Sequence, residues 1–208
     1  MSETVYDITI RDAREEDAEF LGKVILAAAH LTNMSIDTPG TGTYPNTDTN
    51  TGTTSPDTTR EQALTAICRR SDTLYSWRNA RIAFVNGKRA GAMVSYSGES
   101  YAAARSITFP LFPGVTRAEL DATDIETFPG EWYLDSLAVL PEFRKGGIGK
   151  CLVMDAIERG RKAGYTRFSL LAEKSSTHLV QYYTRLGFAV ESSKLYFGDE
   201  YWRMVRGE

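Results

Sequence analysis

The chain has 208 residues, 42% of them apolar and 25% charged, with a formal net charge of −3. That length can bury a substantial core as one domain, and the near balance of charge argues against a strongly basic nucleic-acid footprint. No run approaches the roughly 20 apolar residues of a membrane span, and Met1-Ser2-Glu3-Thr4 lacks the basic and apolar regions of a signal peptide, so a cytoplasmic location is expected.

Val5–Arg11 alternates as an opening strand. Asp12–Asp17 then offers an acidic helix start, suited to the positive end of the helix dipole, and Ala18, Leu21, Val24, Ile25 and Ala28 form the apolar stripe that follows. From Thr38 to Thr59 ten of 22 residues are Thr and three are Pro. Such a stretch recovers little of its ordering entropy by burial; it reads as a polar surface insertion, with a lid over a substrate pocket as the alternative. Asp57 or Thr58 would cap a second helix that turns Ala63, Leu64, Ile67 and Cys68 inward. Arg81–Val85 and Arg89–Val94 flank Asn86-Gly87, a hairpin signal.

A second excursion, 98–130, carries Tyr101, Phe109, Leu111, Phe112 and Phe128, which suggests packing, with a short helix over Thr116–Leu120. Beyond it the pattern is regular. Trp132–Val139 reads as a strand, Ile148–Ala163 as a helix stopped by Gly164, and Arg167–Leu171 as a strand. Ser175–Leu186 reads as a helix stopped by Gly187, and Phe188–Ser193 and Tyr201–Val205 as closing strands. Alternating strands and helices with an early hairpin predict one α/β domain around a mixed sheet.

Chemistry gathers after Val139. Pro141 suits a strand exit, and Gly146, Gly147 and Gly149 fall just before a helix pattern. Glycines let backbone curl around a ligand, and free amides at a helix start favour an anion; Arg144, Lys145 and Lys150 add positive charge. A Walker loop fails, because Arg144 stands at its leading Gly position and Cys151 at its hydroxyl position. A dinucleotide fingerprint fails at Leu152. From this loop alone, a glycine-rich turn without ligand remains open.

The run Leu137-Ala138-Val139-Leu140-Pro141-Glu142-Phe143-Arg144-Lys145-Gly146-Gly147-Ile148-Gly149 resembles the central motif of the GCN5-related N-acetyltransferase (GNAT) superfamily: a strand, a proline, then Arg-x-x-Gly-x-Gly. Tyr182-Tyr183-Thr184-Arg185-Leu186-Gly187-Phe188 resembles the family's later helix, with a tyrosine four residues before Gly-Phe. Ser176 and Leu179 stand where members often carry Asn and Ala. The resemblance implies a mixed, mostly antiparallel sheet flanked by helices, here with two long insertions, 38–59 and 98–130, in a single acyl-CoA N-acyltransferase domain spanning 1–208. It implies acetyl-CoA as acyl donor, CoA as product, a primary amine of a small molecule, amino acid or peptide as acceptor, and association as a homodimer. Leu137, Ala138 and Val139, the loop from Arg144 through Gly146, Gly147, Ile148 and Gly149 to Lys150, and Ser176 would bind the cofactor, with the Val139 amide on the thioester or pantetheine arm.

Direct attack requires an amine that has lost its proton and a thiolate that is stabilised as it leaves. By the resemblance Tyr183 touches the cofactor and donates to the sulfur, with Tyr182 as the register alternative; without it, either ring would read as packing. Asp135 is the candidate base, and Tyr133, Asp135 and Leu137 the candidate acceptor contacts, because strand side chains repeat every two residues. Glu131 at the strand mouth, or a water chain, are alternatives for the base. His30 reads as a helix-end contact and His178 as solvent-facing. With no Cys/His cluster at ligand spacing, no metal site is expected, and the elbow of a serine hydrolase is missing. Cys68 and Cys151 read as reduced thiols. The competing function is a catalytically silent acyl-CoA-binding regulatory or interaction module.

Overall fold

Seven strands form one sheet in the order β1-β2-β3-β4-β5-β7-β6. The structure is a computed structural model that describes residues 7–31, 56–112 and 115–207. Its elements are β1 (Ile8–Asp12), α1 (Ala18–Leu31), α2 (Pro56–Arg69), β2 (Ala80–Val85), β3 (Lys88–Ser97), α3 (Tyr101–Thr108), α4 (Arg117–Ala122), β4 (Trp132–Val139), α5 (Ile148–Lys162), β5 (Arg167–Glu173), α6 (Thr177–Arg185), β6 (Ala189–Tyr196) and β7 (Asp199–Gly207). Every neighbouring pair runs antiparallel except β4 and β5. The sheet is thus mixed and mostly antiparallel, with helices on both faces.

Two cores sit on the two faces. One, under α1 and α2, takes Leu21, Val24, Leu64, Ile67 and Cys68 together with Tyr96, Tyr101 and Tyr133. The other, under α5, takes Ile148, Leu152, Ala156 and Ile157 with Trp132, Leu134 and Phe168, and Val180, Tyr183 and Leu186 of α6 pack against it. The expected inward stripes of α1, α2 and α5 are the buried ones, except that Ala28 and Ala63 are only partly covered. Asn86 and Gly87 both take positive φ, 50° and 75°, the geometry of a tight hairpin turn between β2 and β3.

β1 runs Ile8–Asp12, one residue past the expected end, and Val5 and Tyr6 of the expected strand lie outside the described residues. α2 begins at Pro56, which suits a first helical position because proline lacks the amide a helix start would leave unbonded. Thr38 through Ser55 of the Thr-rich stretch lie outside the described residues, as does the His30 side chain. In the second excursion α3 is an addition to the expected elements. α4 falls one residue past the expected start, with Thr116 and Glu119 closing a reciprocal capping box.

The start of α1 is pinned by a carboxylate. Asp17 is fully buried and accepts from Arg11 Nη1 at 2.7 Å, Arg89 Nη2 at 2.7 Å and the Arg14 amide at 2.9 Å. Burial alone would push its carboxyl up, but these donors hold it at about 2. The contact ties β1 and β3 to the helix that covers them.

Candidate active site

The site lies where the sheet opens. β4 and β5 pair in parallel only at Trp132↔Phe168 and Tyr133↔Ser169. From Leu134 onward β4 has no ladder partner on that side, so its backbone polar groups face a gap. Leu140 donates its amide to the Ala90 carbonyl on β3 at 2.8 Å. Bonding alternates along an antiparallel pair, so the Val139 and Leu137 backbone groups point away from β3, into the gap. The Arg144 Nε reaches the Val139 carbonyl from that side at 3.0 Å.

A bulge sorts the β4 side chains. Met93 pairs with Leu137 and Ser95 with Leu134, so β4 takes three steps where β3 takes two. The extra residue switches the faces beyond it. Tyr133 and Asp135 turn toward the α1/α2 core, whereas Leu137 and Val139 pack against the α5 core. The expectation that Tyr133, Asp135 and Leu137 share one side is therefore corrected: strict two-residue periodicity does not survive an inserted residue. Tyr133 and Asp135, on either side of Leu134, do share a face. The Leu137 side chain is accordingly on the face opposite the two other expected acceptor contacts, leaving only its backbone toward the gap.

The loop after β4 ends in a helix start whose amides are open. Gly147 takes φ +78°, and a Cβ there would meet nothing within 4 Å. Lys145 also takes positive φ, at 67°. Cys151 donates to the Gly147 carbonyl at 3.1 Å; the amides before it belong to the first turn, which intrahelical bonding leaves without partners. Arg144, Lys145 and Lys150 are exposed beside them, whereas Ile148 is 1% exposed and roots the helix in the core, so it can offer only its backbone to a ligand. Ser176 stands at the start of α6 with its hydroxyl 3.2 Å from His178 Nδ1 rather than on a capping bond, and His178 is exposed. The Tyr183 ring meets Phe188 edge-on at 6.0 Å, and burial pushes its phenol up, so the hydroxyl keeps its proton.

Across the sheet, Asp135 belongs to a buried polar cluster. Its carboxylate accepts from Tyr96 at 2.5 Å and from Ser136 at 2.7 Å. Beneath it Glu126 accepts from Tyr101 at 2.8 Å and Tyr133 at 2.7 Å, with Tyr196 close by. Among the described residues no cationic side chain bonds to either carboxylate. Burial, with Asp135 nearby, pushes Glu126 up to about 7 against the pull of its three tyrosines. Burial raises Asp135 as well, opposed by Tyr96 and Ser136. Glu126 is nearly inaccessible at 6% exposure, whereas Asp135 is half-buried.

Glu131 has the opposite setting. It is bonded to Arg203, Arg167 and Ser169 at the closed end of the β4–β5 pair, and these donors hold it at about 2 although burial opposes them. That leaves it an ion-paired carboxylate and not a base. Glu126 itself was missed in the sequence. It lies in the irregular segment before β4, with partners 25 and 7 residues away, and no local spacing marks it.

A seven-stranded mixed sheet opened between its parallel pair, with a glycine-rich loop leading into a helix start at the opening, defines a GNAT-like α/β fold. Residues 69–188, more than half of the chain, match the family model described as "Acetyltransferase (GNAT) family". The chain belongs to this family. It is 32% identical over 68 residues to "Uncharacterized N-acetyltransferase YvbK" from Bacillus subtilis (strain 168), covering 33% of this chain and 44% of that relative; it therefore spans less than half the length of that curated relative. Among solved structures it is similar to "N-acetyltransferase from Staphylococcus aureus Mu50", with TM-score 0.72, 18% identity and coverage of 95% of this chain and 99% of that one. It is also similar to a "paia n-acetyltransferase from thermoplasma acidophilum in complex with coenzyme a", with TM-score 0.57, 17% identity and coverage of 97% and 99%. Among the described residues no helix is long and apolar enough to cross a membrane, and no group of three or more His, Cys, Asp or Glu is placed to hold a metal.

Proposed function

We propose that this chain is an acyl-CoA-dependent N-acetyltransferase that moves an acetyl group from acetyl-CoA to the primary amine of a small molecule, amino acid or peptide by direct attack. The observation that carries it is the opened β4–β5 pair, with a glycine-rich helix start flanked by cations on one face and a cation-free carboxylate pair on the other. The relative from Thermoplasma acidophilum, solved with coenzyme A, supports the same donor here. Acetyl-CoA supplies an activated thioester. The loop amides of 146–149, with Arg144, Lys145 and Lys150, fit its pyrophosphate, and the outward backbone of Leu137 and Val139 fits the arm that passes through the gap.

Asp135 lies on the acceptor side and takes the proton from the incoming ammonium. The Leu137 carbonyl and the tyrosine hydroxyls around Asp135 orient the nitrogen. A new N–C bond forms as the C–S bond breaks; Tyr183 donates its proton to the departing sulfur, the attacking nitrogen loses its second proton to solvent, and solvent returns a proton to Tyr183. Two carboxylates without a protein cation suit a positively charged acceptor, because an ammonium supplies the charge that the cluster lacks. A homodimer belongs to this proposal, supported by the exposed Val190 and Leu195 on the edge strand β6.

The test is an amine panel incubated with acetyl-CoA and the purified chain, following free thiol and product mass. Acceptor-dependent thiol release with a gain of one acetyl group supports the proposal. Saturable CoA binding with no transfer across the panel supports the silent binding module instead.

A further inference from the structure

Neighbouring positions on a helix project about 100° apart, so Tyr182 and Tyr183 of α6 address different places even though their rings touch edge to face, with centroids 5.2 Å apart. Tyr183 packs toward Phe188 and the α5 core. Tyr182 reaches the start of α5 instead. A Cβ built on Gly149 would lie 3.1 Å from the Tyr182 hydroxyl, with Val139 Cγ2 at 3.9 Å and Leu137 Cδ2 at 4.0 Å. The hydroxyl thus sits against the first turn of α5, where the Gly149 position also faces Val139 and Leu137 of β4.

That hydroxyl is buried, and among the described residues it has no hydrogen-bond partner. Buried polar groups are nearly always bonded, so an orphan of this kind calls for an explanation. The Cys151 thiol lies near enough to act on it without being bonded to it, and the first-turn amides of α5 are donors themselves. What the position lacks is an acceptor oxygen. Burial also pushes the Tyr182 phenol up, so the group is held as a donor. Gly149 is the one residue type that leaves this space free, since any Cβ would crowd the hydroxyl.

We infer that Tyr182 is a binding residue for the acyl donor, donating its hydroxyl to an oxygen of acyl-CoA where the pyrophosphate meets the start of α5. This rests on the proposed use of acetyl-CoA, and it adds a contact separate from the acid role given to Tyr183. The two adjacent tyrosines divide the labour: Tyr182 holds the donor and Tyr183 assists the leaving sulfur.

Isothermal titration of the full chain with CoA, needing no turnover, tests it. Tyr182→Phe is expected to weaken CoA binding about tenfold, a loss of about 1.4 kcal/mol. Its unfolding temperature without CoA should be unchanged or higher, because the hydroxyl has no partner to lose. Tyr183→Phe should leave CoA affinity within about twofold. Gly149→Ala should cost more CoA affinity in the wild-type chain than in the Tyr182→Phe background, where the crowded oxygen is gone. Unchanged CoA affinity in Tyr182→Phe overturns the inference, as does a loss matched by a lower ligand-free unfolding temperature. If the wild-type chain itself fails to bind CoA, the proposed function fails first and this inference with it.

Discussion

Replacing Glu126 with Gln should stabilise the ligand-free protein, and the gain should depend on pH. The carboxyl is 6% exposed, bonded only to tyrosine hydroxyls, and pushed from 4.5 to about 7 by burial and by Asp135. A carboxyl raised in the folded state contributes stability that is present below its unfolded value and lost as pH rises through its folded value. For Glu126 the loss therefore develops between pH 4.5 and about 7 and is complete above it. At about 1.36 kcal/mol per pKa unit this amounts to ~3 kcal/mol. Glutamine cannot ionise, so Glu126→Gln should match wild type near pH 4.5 and exceed it by ~3 kcal/mol at pH 8, less whatever hydrogen bonding to Tyr101 and Tyr133 the amide disturbs. For a chain of this size that is roughly 6–12 °C in unfolding temperature. Thermal unfolding of both proteins from pH 4.5 to 9 is the assay. A constant offset across that range, or a variant less stable than wild type at pH 8, would refute the claim that a buried, cation-free carboxylate is kept here at a cost to the fold. Stability gained on removing it would mark the cluster as functional.

Other parts of the molecule give shorter predictions. Asp17 has the opposite sign: held at about 2 in the fold against 3.8 unfolded, it contributes about 2 kcal/mol that is present above pH 3.8 and lost as pH falls through about 2. Asp17→Asn should therefore lower chemical-denaturation stability at pH 7 and flatten its acid dependence between those values. Gly147→Val forces a β-branched residue to φ +78°, which costs at least about 1–2 kcal/mol; CoA affinity by titration should fall at least tenfold. Among chain-matched acceptors in the thiol-release assay, 1,4-diaminobutane should give a higher kcat/KM than 1-aminobutane, and 4-aminobutanoate the lowest. An order reversed in favour of the anionic acceptor would remove the carboxylates from acceptor recognition.

What could be read from the sequence was local. Strand exit, glycine spacing and helix start all lie within Leu137–Lys150, so the glycine-rich loop and the helix behind it were legible together. The hairpin at Asn86-Gly87 was legible for the same reason, because positive φ at two adjacent positions restricts the residues that fit. The face of Asp135 was not. One extra residue between Leu134 and Leu137 turns its side chain away from those of Leu137 and Val139, and a bulge leaves no mark in an apolar alternation. Glu126 was hidden differently: its meaning comes from Tyr101, Tyr133 and Tyr196, gathered from three separate segments. Tyr182 and Tyr183 could be told apart only once α6 was set against α5. The motif places a tyrosine at 183, but packing decides which hydroxyl meets the loop.

The central claim is that one opening in the sheet brings an acetyl donor to Asp135 from one face and an amine from the other. Burst and steady-state thiol release, with product mass from wild type, Asp135→Asn and Tyr183→Phe at saturating acetyl-CoA, test it most directly. The account predicts acetylated amine from wild type, with kcat lowered about 10²-fold or more in each variant and CoA affinity held within about threefold. Wild-type protein that binds CoA but acetylates no amine, or variants that turn over at the wild-type rate, would contradict it.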